Sequence, residues 1–228
     1  MRYEELQRRW AFAASLFVCL ASIAQAAPPK LDYFFPAGVP RGQSTSVTAS
    51  GTFERWPVDV SCDQPDVEVN NKKKKGQFSI TVSDDCSASV CWLRLYDEEG
   101  ATQLRPLLIG ALPEVLEAEP NDAADKPQSA RQPVLVNGKL SKRGDVDTYA
   151  IKLEQGQTLV ASMQANELIA APMDAVLQIA DASGFVLAQN HDARGLDPML
   201  VLDVARSGTY LVRAFAFPSK PNSTIDFA

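Results

Sequence analysis

Chemistry in a protein usually starts from a few residue types, so the single histidine sets the first limit. Ser-His-Asp and Cys-His catalysis both require an imidazole, and His191 is the only one in 228 residues. It falls in a stretch that reads as a hairpin loop, where a surface turn residue is expected rather than a base. The chain carries no G-x-S-x-G elbow, no H-E-x-x-H helix and no phosphate-cradling Gly-rich loop. Composition permits a glycosidase-type carboxylate pair, yet no pair stands out. The acidic residues gather instead in a pattern suited to a hard cation. In an extended segment Glu117, Glu119 and Asn121 share one side, because side chains alternate with period two, and Asp122 follows at a turn. Downstream, Asp145 and Asp147 flank a valine, and Asp147 shares parity with Tyr149, Ile151 and Leu153, the expected core-facing row. A carboxylate at the rim of a core needs a partner. Lys142 or Arg143 in the preceding turn could reach it. Calcium is the sharper solution, since it accepts roughly six to eight oxygens in irregular geometry. The plainer reading is a solvated acidic linker with Asp147 capping a turn.

The elements that would position these residues are strands. Short alternating runs bounded by Gly, Pro, Asn and Asp fill the chain after residue 26, and helical periodicity is almost absent. In the first half the runs are residues 45–49, 58–62, 78–82, 90–96 and 103–109. In the second they are 134–140, 146–153, 157–165, 174–180, 185–189, 199–205 and 209–217. This spacing favours β-sandwiches over any α/β arrangement. Residues 110–122 hold two prolines and four acidic residues and read as an extended linker, with the boundary just before Glu117. Ahead of all this, Arg2, Arg8 and Arg9 precede an apolar run from Trp10 to Ala24 and then Ala24-Gln25-Ala26, the pattern of a cleaved secretory signal peptide over residues 1–26. The apolar run is shorter than the roughly 18 to 20 residues of a membrane span, so none is expected once the signal is removed.

The net charge of -6, with no basic stripe, argues against a nucleic-acid partner. Lys72 to Lys75 read as a solvated turn between two strands. Cys62, Cys86 and Cys91 remain after signal removal; an oxidising compartment allows one disulfide among three pairings, and the spacing is no zinc signature. The aromatic clusters Tyr33-Phe34-Phe35 and Phe215-Ala216-Phe217 are expected in cores rather than on a carbohydrate platform.

Ordered motifs then point to a family. Residues 27–116, with Phe34-Phe35-Pro36-Ala37-Gly38, Arg41-Gly42 and a strand ending at Gly51, resemble immunoglobulin-like domains of the IPT/TIG type. From Glu117 on, Glu117-Ala-Glu-Pro-Asn-Asp122, Asn137-Gly138-Lys139-Leu140, Gly144-Asp-Val-Asp147 before Tyr149, Gly156-Gln157-Thr158-Leu159, Pro172-Met173-Asp174, Asn190-His191-Asp192 and Gly208-Thr209-Tyr210 stand in the order and spacing of the bacterial pre-peptidase C-terminal domain. The pair also resembles large exported proteins of planctomycete-type bacteria. The resemblance implies an all-β chain of two sandwiches, immunoglobulin-like and then jelly-roll-like, over residues 117–228. It further implies that a Tyr-, Arg- and Leu-rich last strand is missing after Ala228, as in a truncated product or one whose last strand a partner supplies. Related collagen-binding domains hold calcium through a comparable acidic segment and a downstream aspartate pair, which would make Glu117, Glu119, Asn121, Asp122, Asp145 and Asp147 the ligands. Asp174 and Asp192 recur in the family; their residue types read as turn formers. The implied function is a non-catalytic accessory module for adhesion, targeting or assembly, secreted, periplasmic or at the cell surface. The alternative is a calcium-stabilised binder of polysaccharide or fibrous protein.

Overall fold

The computed structural model describes residues 26–217 and the backbone of residues 225–227. The expected signal peptide therefore lies outside the described residues except for Ala26, as does most of the segment from Pro218 on. All regular structure among the described residues is β-strand, and no helix there is long and apolar enough to cross a membrane.

Nine strands build the first half: β1 (Lys30–Phe35), β2 (Gly38–Pro40), β3 (Ser44–Thr52), β4 (Asp59–Cys62), β5 (Val67–Asn71), β6 (Gln77–Val82), β7 (Val90–Asp97), β8 (Gly100–Ala101) and β9 (Arg105–Gly110). They form two sheets, β1-β3-β6-β5 and β2-β9-β7-β4, with β8 paired to β7. Alternation explains the layering. In β6 and β7 every second residue is buried, so Phe78, Ile80, Val82, Cys91, Leu93 and Leu95 meet between the sheets while Trp92, Arg94 and Tyr96 face outward. Phe34 joins this core, and Trp56 packs edge-on against Phe78 with ring centroids 5.4 Å apart.

The second half adds β10 (Glu114–Leu116), β11 (Gln128–Ser129), β12 (Leu135–Leu140), β13 (Val146–Leu153), β14 (Thr158–Ser162), β15 (Ala175–Asp181), β16 (Val186–Asn190), β17 (Met199–Asp203), β18 (Gly208–Ala216) and β19 (Ile225–Phe227). One sheet runs β11-β13-β18-β15-β16, and β10-β12-β19 and β14-β17 lie apart from it as separate sheets. Ile151, Leu153, Leu159, Leu177, Ile179 and Val212 are among the residues of a second, separate core. The chain is thus an all-β protein of two sandwiches.

Two details depart from the sequence reading. The linker is not merely extended: β10 pairs in parallel with β12, Glu114 opposite Leu135, so residues 114–116 already belong to the second half's sheet. The aromatic clusters are only partly core. Phe34 is buried, but the Lys139 ammonium sits over the rings of Phe35 (4.0 Å) and Tyr33 (4.7 Å), and Phe217 is 41% exposed.

At the junction Glu114 accepts from Asn137 Nδ2 (2.8 Å), and Asn137 Oδ1 accepts the Gly38 N–H (2.9 Å). A Cβ at Gly38 or Gly110 would press on the far end of the Glu114 side chain and displace its carboxylate.

Candidate metal centre

The acidic segment and the start of β13 meet beside the junction. Backbone bonds bring them together. Glu117 N–H donates to Asn137 O (2.9 Å), and Thr148 N–H donates to Asn121 O (3.0 Å), which lays the segment across β12 on one side and β13 on the other. Asn121 is thereby buried at 1% exposure although it follows a proline in a polar stretch. The turn before β13 is held by Asp145, whose Oδ2 accepts the N–H groups of Ser141 and Lys142. Gly144 supplies the positive φ of 75° that this turn needs. In β13, Asp147 lies on the row of Tyr149, Ile151 and Leu153, all of them buried.

Carboxylate oxygens of Glu119, Asp122, Asp145 and Asp147 come within 4.8 Å of one another. Glu117 stands beside Asp147, with its Oε2 accepting the Lys139 N–H (2.6 Å). Six buried oxygens in this neighbourhood have no hydrogen-bond partner: Glu117 Oε1, Asn121 Oδ1, Asp122 Oδ1, Asp145 Oδ1 and both oxygens of Asp147. Asp147 is 0% exposed. Burial, then the neighbouring Glu117, Asp145 and Glu119, push its carboxyl up to about 10. Burial, then Asp147, Glu117 and Glu119, also raise the Tyr149 hydroxyl. Lys142 brings its ammonium 2.7 Å from Asp122 Oδ2 and 3.5 Å from Asp145 Oδ1, and it holds Asp122 below the usual carboxylate range. Its side chain is 59% exposed, and Arg143 makes no ion pair with the group among the described contacts.

Five carboxylates, those of Glu117, Glu119, Asp122, Asp145 and Asp147, gather here. Leaving a buried polar group unpaired costs roughly 1–3 kcal/mol, so five orphaned oxygens, beside Asp145 Oδ1 with its long 3.5 Å ion pair, call for a shared partner. An all-oxygen donor set without nitrogen or sulfur suits a hard cation rather than zinc or copper. Six oxygens of irregular disposition, several of them charged, fit calcium better than the octahedral, water-retaining magnesium ion.

Asp174 and Asp192 are gathered in a second group. Their carboxylates and His191 lie within 4.8 Å of one another. His191 Nδ1 is 2.8 Å from Asp192 Oδ2, and its ring meets Phe217 edge-on. The part taken by His191 was not apparent in the sequence. The register of β15 against β16, with Leu177 opposite Asn190, is what sets Asp174 across from the 191–192 turn. Hairpin spacing hinted at that register without fixing it.

Comparison with known proteins adds a limited frame. No family model matches the chain. A probable subtilase-type serine protease of Deinococcus radiodurans is 30% identical over 139 residues, covering 60% of this chain and 18% of that protein's length. Among solved structures, a Bacteroides ovatus protein from a mixed-linkage glucan utilization locus, in complex with a mixed-linkage heptasaccharide, covers 84% of this chain and 75% of its own at 9% identity and a TM-score of 0.28. Titin domains A168–A170 cover 89% and 99% at 9% identity and 0.28, and the Yersinia pseudotuberculosis adhesin InvE covers 87% and 57% at 9% and 0.27. Likeness at this level carries no inference about function.

Proposed function

We propose that this chain is a calcium-stiffened, non-catalytic accessory module of an exported protein, with a second half of the pre-peptidase C-terminal kind. The observation that carries the reading is the set of six buried oxygens around Asp147 that accept no hydrogen bond, five of them without an ion pair as well. Glu119, Asp122, Asp145 and Asp147, whose carboxylate oxygens converge, would hold the ion, with Glu117 and Asn121 adding oxygens from the buried side. A bound divalent ion would draw the acidic segment, β12 and β13 into one unit next to the Glu114–Asn137–Gly38 contact, and so fix how one sandwich follows the other.

Two further points support a non-catalytic role. The one histidine is engaged by Asp192 and Phe217. The stretch shared with the subtilase-type protease is a small part of that protein, as suits a domain that accompanies a peptidase. Adhesion, targeting or assembly outside the cytoplasmic membrane is the role such a module would serve, with a polysaccharide or fibrous protein as the partner class. The test is retention of the protein on insoluble cellulose, chitin and collagen, in calcium and in chelator, alongside its melting temperature. Calcium-dependent retention with a raised melting temperature supports the reading. Identical melting and retention in both conditions would overturn it.

A further inference from the structure

The outer face of the first sandwich carries two large rings that neither core accounts for. Alternation along β7 sends Cys91, Leu93 and Leu95 inward and leaves Trp92, Arg94 and Tyr96 in one exposed row. Singly exposed apolar residues are ordinary, whereas a contiguous patch marks a binding surface. Residues facing each other across a ladder share a face of the sheet. Pro106 stands opposite Trp92 and Ala101 opposite Tyr96, while β4 places Ser61 opposite Arg94 and Asp59 opposite Tyr96. These neighbours are small, flat or polar, and they leave the rings uncovered.

The row is held in place. Asp63 Oδ1 accepts the Trp92 N–H (2.7 Å), and the Asp63 N–H donates to Trp92 O (3.3 Å), which ties the end of β4 to β7. Four residues of strand set Trp92 and Tyr96 about 13 Å apart, room for a short run of sugar rings. Between and beside them, Arg94, Ser61 and Asp59 make no side-chain hydrogen bond or ion pair among the described residues.

A sugar ring presents C–H groups on its face, which meet the negative face of an aromatic ring. Hydroxyls around its rim need donors and acceptors. Arg94 supplies donors, Asp59 acceptors and Ser61 both. Charge narrows the choice of glycan, because one guanidinium beside the carboxylates of Asp59 and Asp63 leaves no positive excess for a uronate or sulfate chain. A protein partner suits the face less well, since Asp, Ser and Ala, the types that border the rings, are depleted at protein interfaces.

We propose that this face binds an uncharged, β-linked polysaccharide laid along β7, with sugar rings on Trp92 and Tyr96 and hydroxyls held by Arg94, Ser61 and Asp59. Both rings stand on one strand, so the glycan must run straight; a coiled α-linked glucan would leave one of them. The proposal takes its partner class from the accessory-module reading and nothing from the carboxylate cluster, so binding here needs no calcium.

The test titrates the protein from Ala27 onward, in chelator, with cellohexaose, maltohexaose and oligogalacturonate. Its tryptophans are Trp56 and Trp92, and Trp56 is packed against Phe53 and Phe78, so fluorescence reports on Trp92. The expected result is saturable binding of one cellohexaose per chain, with Trp92→Ala and Tyr96→Ala each weakening it about tenfold. Trp92→Tyr should restore most of the loss, which settles the matter should Trp92→Ala not fold. Asp147→Ala and added calcium should leave this binding unchanged, so failure of the metal centre and failure of the glycan face are told apart. No saturable cellohexaose binding, or binding that survives both alanine variants, overturns the proposal. So does equal binding of maltohexaose or tighter binding of oligogalacturonate. Retention on collagen that is lost in Trp92→Ala, without oligosaccharide binding, would assign the face to a fibrous protein and overturn it as well.

Discussion

Replacing Asp147 with Asn separates a cation-binding carboxylate from a merely buried one. In the metal-free protein the Asp147 carboxyl is pushed up to about 10 by burial and by Glu117, so the folded state holds a proton there at neutral pH. The unfolded chain releases it near the ordinary value of about 3.9. A folded value above the unfolded one contributes stability that is full in acid and is lost as pH rises, at about 1.36 kcal/mol per pH unit. Between pH 3.9 and pH 7 that amounts to about 4 kcal/mol, an upper figure that any folded value above 7 would give. Asparagine has the same shape as the protonated acid and cannot ionise. In chelator, Asp147→Asn should therefore be more stable than the parent at pH 7, by up to about 4 kcal/mol, and equal to it near pH 4. Calcium should reverse the order. The parent gains about 2.7 kcal/mol when free calcium is a hundredfold above its dissociation constant, and the variant gains far less. Urea unfolding should be read from the β13 amides, because Trp56 and Trp92 both lie in the first sandwich. A variant that is less stable than the parent in chelator by the same amount at both pH values would refute the reasoning. So would equal gains from calcium.

Other expectations follow from neighbouring features. Burial raises the Glu114 carboxyl above its ordinary value, so its contribution is present in acid and is lost as pH climbs through the raised value. Glu114→Gln, which keeps the acceptor for Asn137, should raise the melting temperature at pH 7 and leave it unchanged at pH 4. An equal effect at both pH values would remove the role of ionisation. A hydrogen bond from Cys91 draws the Cys62 thiol down to about 7, which marks it as the attacking thiolate. With glutathione disulfide as oxidant, two electrons and two protons leave the pair, and non-reducing peptide mapping should find Cys62 joined to Cys91 with Cys86 free. A bridge containing Cys86 would contradict this.

How far the sequence reveals the fold varies with how local each signal is. Strand β7 is plain in its alternation, and the parity that places Asp147 with Tyr149 is the same parity seen in β13, whereas β18 buries Tyr210, Leu211 and Val212 in a row. β1 escapes a period-two reading because its pairing with β3 slips between Leu31 and Tyr33, which breaks the alternation in Lys30–Phe35. β10 escapes because its exposed Val115 and Leu116 gain a partner only from a strand about twenty residues on, through parallel pairing that leaves no turn signal. The same non-local pairing buries Asn121, a residue that composition alone puts on the surface. Charge and spacing indicate the acidic cluster, but the buried oxygens without hydrogen bonds, on which the proposed cation rests, emerge only once β12 and β13 close around it.

Calcium stoichiometry tests the central claim most directly. Equilibrium dialysis of the protein from Ala27 onward against radiolabelled calcium, with magnesium present, should find one ion bound per chain, lost in Asp147→Ala and retained in Asp192→Ala. No bound calcium at millimolar concentration, or binding that survives Asp147→Ala, would contradict the account.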